Sequence, residues 1–172
     1  KIESNARGES DWHGGTGPVK VRQAEPNLPI CDAFIQAAQD EGFPILADMN
    51  TDALEGFGFY DINSGGGVRM SAAKSYLSPL ENRSNLHVYT NAYVLKVNIE
   101  DNKASGVEYL VNGQKETINV DGEIIISAGA IKSPQLLMLS GIGSEDELKK
   151  HNIPIKVISP KVGKTLQNHV CY

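Results

Sequence analysis

An α/β fold is predicted by three observations. A β-rich run at residues 123–126 collapses into the small residues Ser127, Ala128, Gly129 and Ala130, which open an apolar helix ending at Ser140 and Gly141. That is a strand, a tight turn and a helix, the corner of a doubly wound sheet. Upstream, four runs of β-forming residues divided by turn signals predict an antiparallel meander. The first half adds an amphipathic helix among short strands and glycine-rich loops, the pattern of a separate α+β portion.

In chain order, residues 1–18 are polar and glycine-rich and predict a surface loop or lid. Residues 19–22 alternate apolar and polar as a short strand does, and Pro26 to Pro29 turn the chain. A helix follows over 33–41, led by Pro29 and Asp32 and closed by Gly42, and its spacing predicts burial of Phe34, Ala37 and Ala38. Residues 57–62 predict a strand, and Gly65, Gly66 and Gly67 a hinge or hairpin tip. Ser71 is placed as the N-cap of a helix that Pro79 ends. Strands are predicted at 86–90, 93–99, 104–110 and 115–120, with turns at Asp101-Asn102 and Asn112-Gly113. After the strand at 124–126 and the apolar helix come a short helix, 145–150, behind Ser144, and a final strand-like run at 153–158. The acidic-to-basic charge order of that short helix suits the macrodipole.

The chain has 172 residues, 40% hydrophobic and 22% charged, and a net charge of -5. That charge, with no basic stripe to neutralise phosphates, argues against nucleic acid as a partner. No apolar run reaches the length of a membrane span. Cys31 and Cys171 have no CxxC or His/Cys spacing and read as two unrelated thiols. Beginning at Lys1 and stopping at Tyr172 behind a motif-like segment, the sequence reads as an internal piece of a longer protein.

The chemistry-bearing residues are few. At 127–130 the missing side-chain bulk lets a ligand reach the main chain at the carboxyl end of a strand, and a corner packed tightly for its own sake satisfies the same pattern. A GxGxxG fingerprint is absent, since residues 65–67 have no strand feeding a helix around them. Of the four histidines, His87 and His151 read as strand and surface residues, while His13 and His169 read as loop anchors that hold hydrogen bonds. Ser133 lacks a nucleophile elbow. Asp48, Asp52 and Glu55 lack the spacing of a calcium loop and read as a solvated loop.

Residues 129–143, GAIKSPQLLMLSGIG, are similar to a signature of the glucose-methanol-choline family of FAD-dependent oxidoreductases in Ser133, Pro134, Leu136, Leu137, Ser140, Gly141, Ile142 and Gly143. Three stretches resemble the same family: His13 to Pro18, Arg69 with Ser71 to Leu77 and Arg83 to Leu86, and Val162 to His169. Val68 and Asn168 depart from it, standing where arginine and aspartate are usual. The resemblance implies part of a Rossmann-like FAD-binding domain with an inserted β-meander, plus part of an α+β substrate-binding domain. The division it implies is 1–80 for the lid loop and substrate-binding portion, 81–145 for the FAD-binding portion, and 146–172 for a return segment. It also implies FAD as cofactor and oxidation of a small alcohol to a carbonyl, with Val94, Ser127, Ala128 and Gly129 along the adenosine of FAD. Val94 is equally readable as ordinary strand core. The resemblance places the pyrophosphate fingerprint before this segment and the catalytic base after it, so no catalytic residue is assigned and the segment alone is expected to be inactive. An FAD-containing hydroxynitrile lyase and a non-catalytic remnant are the rival readings.

Overall fold

A computed structural model describes residues 2–26, 28–53 and 55–169. They form two compact units, residues 1–87 and 88–172. Cys31 is a free, half-buried thiol, and Cys171 lies outside the described residues.

In the first unit, β1 (Glu3–Asn5) runs parallel to β2 (Val19–Gln23), with Glu3 opposite Val19. The stretch expected as a loop therefore contributes a strand. Its three polar residues give no period-2 signal, and what recruits them is pairing with β2. Gly17 permits the approach, because a Cβ there would strike the main chain of Ile2 and Glu3. Helix α1 (Pro29–Asp40) forms where expected, with proline in its first turn and Gly42 behind it at φ +83°. Its burial differs from expectation: Ala38 is buried, but Ala37 is exposed and Phe34 is 60% exposed. The Phe34 ring meets that of Phe57 in a T-shaped arrangement, with 5.6 Å between centroids. Of the strand predicted at 57–62, only β3 (Asp61–Ile62) is paired, antiparallel to β2, besides a single bridge from Phe57 to Ile45.

Next, β4 (Ser64–Gly65) and β5 (Val68–Arg69) form the expected hairpin, turning through Gly66 and Gly67 at φ +59° and +76°. Ser71 caps the following segment by accepting from the Lys74 N–H at 3.2 Å. That segment is a π turn, Ala73–Leu77, and a 3-10 turn, Ser78–Leu80, which takes in Pro79. The buried Ser75 hydroxyl on the π turn has no hydrogen-bond partner among the described residues.

Residues 86–90, which span the boundary between the units, are irregular, contrary to the strand expected there. In the second unit, the meander is β6 (Tyr93–Glu100), β7 (Lys103–Val111) and β8 (Gln114–Asn119), paired antiparallel in that order. Both turns carry two residues of positive φ, Asp101 and Asn102 at 48° and 61°, Asn112 and Gly113 at 50° and 77°. These are the angles that let a two-residue loop follow strand twist.

Residues 124–126 form no regular element and are unpaired, and Ile125 is 83% exposed. The expected buried strand is not formed, because a strand exists only against a partner and none of the described residues supplies one. Helix α2 (Gly129–Leu139) then forms as predicted, followed by β9 (Ile142–Gly143), α3 (Glu145–Lys150) and β10 (Val157–Ile158), which pairs parallel with β9. Val97, Tyr109 and the fully buried Leu148 make the core of this unit. Among the described residues, no helix is long and apolar enough to cross a membrane.

Candidate functional site

Gly129 opens α2 at φ +88°, a conformation that favours glycine. A Cβ added there would meet nothing within 4 Å, and Ser127 and Ala128 beside it are exposed. Ala128 provides no side-chain cap and the first turn holds no acidic residue. The amides of that turn thus keep the positive end of the helix dipole uncompensated. Beside the corner lies an open groove of about 720 Å³, lined by Ala130, Ile131, Pro134, Met138, Gly163 and Leu166 among others. Bare main chain, free amides and small side chains next to a groove suit the adenosine end of a dinucleotide, which is recognised largely through backbone.

Val94 is the second residue of β6, 39% exposed, opposite Tyr109 of β7. Strand β6 is joined to the end of α2 by Ser140. Its buried hydroxyl accepts from the Val97 N–H at 2.8 Å and donates to the Leu136 carbonyl at 2.7 Å. Val94 and the 127–129 corner therefore sit on two elements tied by one side chain, a connection no local sequence signal announces.

A second constellation lies in the first unit. The buried His13 ring turns Nε2 to Asp48 Oδ2 at 2.7 Å and Nδ1 to Glu3 Oε1 at 3.1 Å. Carboxylates on both nitrogens favour the imidazolium, in which both nitrogens donate, and outweigh the Asn5 amide nitrogen that also lies 3.1 Å from Nδ1. Arg7 grips Asp61 through Nε and Nη2, each at 3.1 Å, and lies 3.7 Å from Asp48. Asn5 also donates to Asp61, at 3.2 Å. Ligand atoms of His13, Asp48 and Asp61 fall within 4.8 Å of one another, close enough for a cation. The Arg7 guanidinium already supplies positive charge there, so the geometry is that of an ion-pair network. Asp48, expected in a solvated loop, is instead a member of it, its side chain only 19% exposed.

The hydrogen bond to Asp48, opposed by burial and assisted by Glu3, raises the His13 pKa above its ordinary 6.5. A raised folded-state pKa contributes stability that is complete below 6.5 and is lost as pH rises through the higher folded value. Hydrogen exchange of residues 10–15 in the full-length protein is therefore expected to accelerate through that alkaline window beyond the intrinsic pH dependence of exchange. In His13→Gln the extra acceleration is expected to vanish, and a wild-type profile without it would refute the imidazolium.

The remaining histidines hold less. His151 contacts Glu147 at 3.1 Å on an exposed helix face, His87 lies exposed in an irregular stretch, and the His169 backbone N–H donates to the Asn168 side chain. Ser133, on α2, is part of the helix surface.

The GMC oxidoreductase family model matches residues 3–171. Mitochondrial choline dehydrogenase of Homo sapiens is 44% identical over 170 residues, covering 99% of this chain and 29% of that protein. Alcohol dehydrogenase [acceptor] of Pseudomonas putida is 38% identical over 173 residues, covering 99% of this chain and 31% of its own length. The crystal structure of pyridoxine 4-oxidase from Mesorbium loti superposes with a TM-score of 0.85 at 29% identity, over 93% of this chain and 32% of that one. The chain thus spans less than a third of the length of these relatives.

Proposed function

Because this chain belongs to the GMC oxidoreductase family, we propose that it is the central portion of an FAD-dependent oxidoreductase that converts an alcohol to a carbonyl. The observation that carries the reading is near-complete coverage of this chain by choline and alcohol dehydrogenases at 44% and 38% identity. When bound, FAD supplies the acceptor for the hydride that leaves the carbinol carbon.

This chain's share is binding and orientation. The exposed main chain of Ser127, Ala128 and Gly129 receives the adenosine, with the α2 amides beside it, and Val94 offers backbone to the adenine from β6. Residues 81–145 are in this reading part of the FAD-binding domain, residues 1–80 part of the substrate-binding domain, and 146–172 the return towards it. The substrate is a small hydroxyl compound, with choline the first to try. No residue of the chain is assigned proton abstraction, since the His13 ring is committed to Glu3 and Asp48.

The full-length protein is expected to be yellow and to bleach when an alcohol is added without oxygen. A colourless preparation that takes up no FAD would end the reading. Cyanide released from a cyanohydrin with no bleaching would replace it with a lyase, which the dehydrogenase names of the relatives do not favour.

A further inference from the structure

We infer that Ser140 is a positioning residue for the cofactor's adenosine end, the side chain that sets the strand carrying Val94 against the helix that Gly129 opens. The inference rests on the functional reading above and deepens it.

Strand β6 is the edge of its sheet, paired with β7 on one side only. Its outward N–H groups have no ladder partner among the described residues and need another acceptor. Register shifts lie on either side of Val97, between Val94 and Lys96 and between Asn98 and Ile99. At Val97 the edge N–H is donated to Ser140 Oγ at 2.8 Å, both residues being buried. The same hydroxyl spends its proton on the Leu136 carbonyl one turn back in α2, at 2.7 Å. Each end of the tie is thus used once and in the correct sense, the oxygen accepting from the strand and its hydrogen donated to the helix.

Ser140 is the C-cap of α2, and its own N–H bonds back to Leu136 and Leu137. The next residue is locked from the far side, because Gly141 O accepts from the N–H groups of Lys156 and Val157. The hydroxyl therefore sits on a fixed hinge point, and among the described residues it is the one hydrogen bond between β6 and the end of α2. Helix α2 is one continuous element of roughly 16 Å at 1.5 Å per residue, with Pro134 inside it. A shift where Ser140 meets β6 is consequently carried to Gly129, while Val94, three residues before Val97, stays with the sheet. Recognition through main chain tolerates little misplacement, since the groups that contact the ligand cannot swing on a side chain to compensate.

The test strips FAD from the full-length protein and its Ser140→Ala, Ser140→Thr and Ser140→Cys variants, then measures the FAD dissociation constant by flavin fluorescence and ADP binding by competition. The loss of one buried hydrogen bond predicts FAD and ADP affinities about tenfold weaker in Ser140→Ala, with Ser140→Thr within about threefold of wild type because it keeps the hydroxyl. Should the alanine variant not fold, Ser140→Cys, with a weaker acceptor of similar size, decides with a loss between the two. A merely structural serine would lower the melting temperature and leave ADP affinity where it was. Unchanged FAD and ADP binding in the alanine or cysteine variant, or a threonine variant that fails as the alanine one does, overturns the role of Ser140 while the functional reading stands. Wild-type protein that binds no FAD overturns both.

Discussion

Asp61→Ala is expected to destabilise residues 1–87 by about 3 kcal/mol, the low end of the cost of removing one partner from a buried ion pair. The Asp61 side chain is only 3% exposed and Arg7 17%. Two guanidinium nitrogens and the Asn5 amide all donate to this one carboxylate. Truncation leaves the Arg7 charge with Asp48 as its nearest carboxylate, 3.7 Å away, and takes from the Asn5 amide one of its two partners, the other being His13 Nδ1 at 3.1 Å. The sheet feels it directly, for Asn5 ends β1 and Asp61 begins β3, with β2 between. Burial works against the Asp61 charge, but the bonds from Arg7 and Asn5 and the Arg7 charge outweigh it, so the pKa is held below the ordinary 3.8. A depressed folded-state pKa contributes stability present above 3.8 and lost as pH falls through the lower folded value. Denaturant unfolding of the full-length protein, with hydrogen exchange to locate the effect, checks both parts. An Asp61→Ala variant with wild-type exchange across β1, β2 and β3 would show that the network carries no stability.

The second large effect is expected at Gly141. Its φ of +88° costs an L side chain roughly 1–2 kcal/mol before any contact is considered. A Cβ would then lie 2.5 Å from the Pro154 carbonyl oxygen and 2.8 Å from Lys156 Cγ, and the first of these is backbone that cannot swing aside. Overpacking of this kind adds about 1–3 kcal/mol, so Gly141→Ala is expected to cost about 3 kcal/mol in all. The damage is local and traceable, because the bonds from Lys156 and Val157 to Gly141 O hold β10 against β9. Gly129→Ala is the control, with a φ of +88° as well but open space around the added methyl. Equal losses in the two variants, read by urea unfolding, would mean that the Pro154 contact does not matter.

The parts of the fold legible from residues alone are those whose causes are local. Asn112-Gly113 turns a hairpin because both residues accept positive φ, and the strands on either side follow. Residues 65–67 turn another for the same reason. Helix α2 follows from an apolar run between a glycine and Ser140-Gly141, and the ordered string within it was enough to reveal the family. What was not legible depended on distant partners. Three polar residues become β1 only beside β2, and residues 124–126, strongly β-forming, stay unpaired where no described strand meets them. Phe34 has the spacing of a buried residue and is exposed, because helical periodicity says which face is apolar but not whether anything covers it.

The candidate sites divide in the same way. The bare corner at 127–129 could be read from residue size, since small side chains expose main chain wherever they occur. The two networks could not. Asp61 meets Arg7 across 54 residues and Val97 meets Ser140 across 43, separations at which side-chain chemistry says what a residue can bond but not which residue it will find. By itself, then, the sequence determined the family, the meander, the signature helix and the small-residue corner, all properties of neighbouring residues. Tertiary structure alone decided that His13 and Arg7 share one buried carboxylate cluster and that one serine ties β6 to α2. A buried polar group must find its partner in space, and only the folded chain brings those partners within hydrogen-bonding reach.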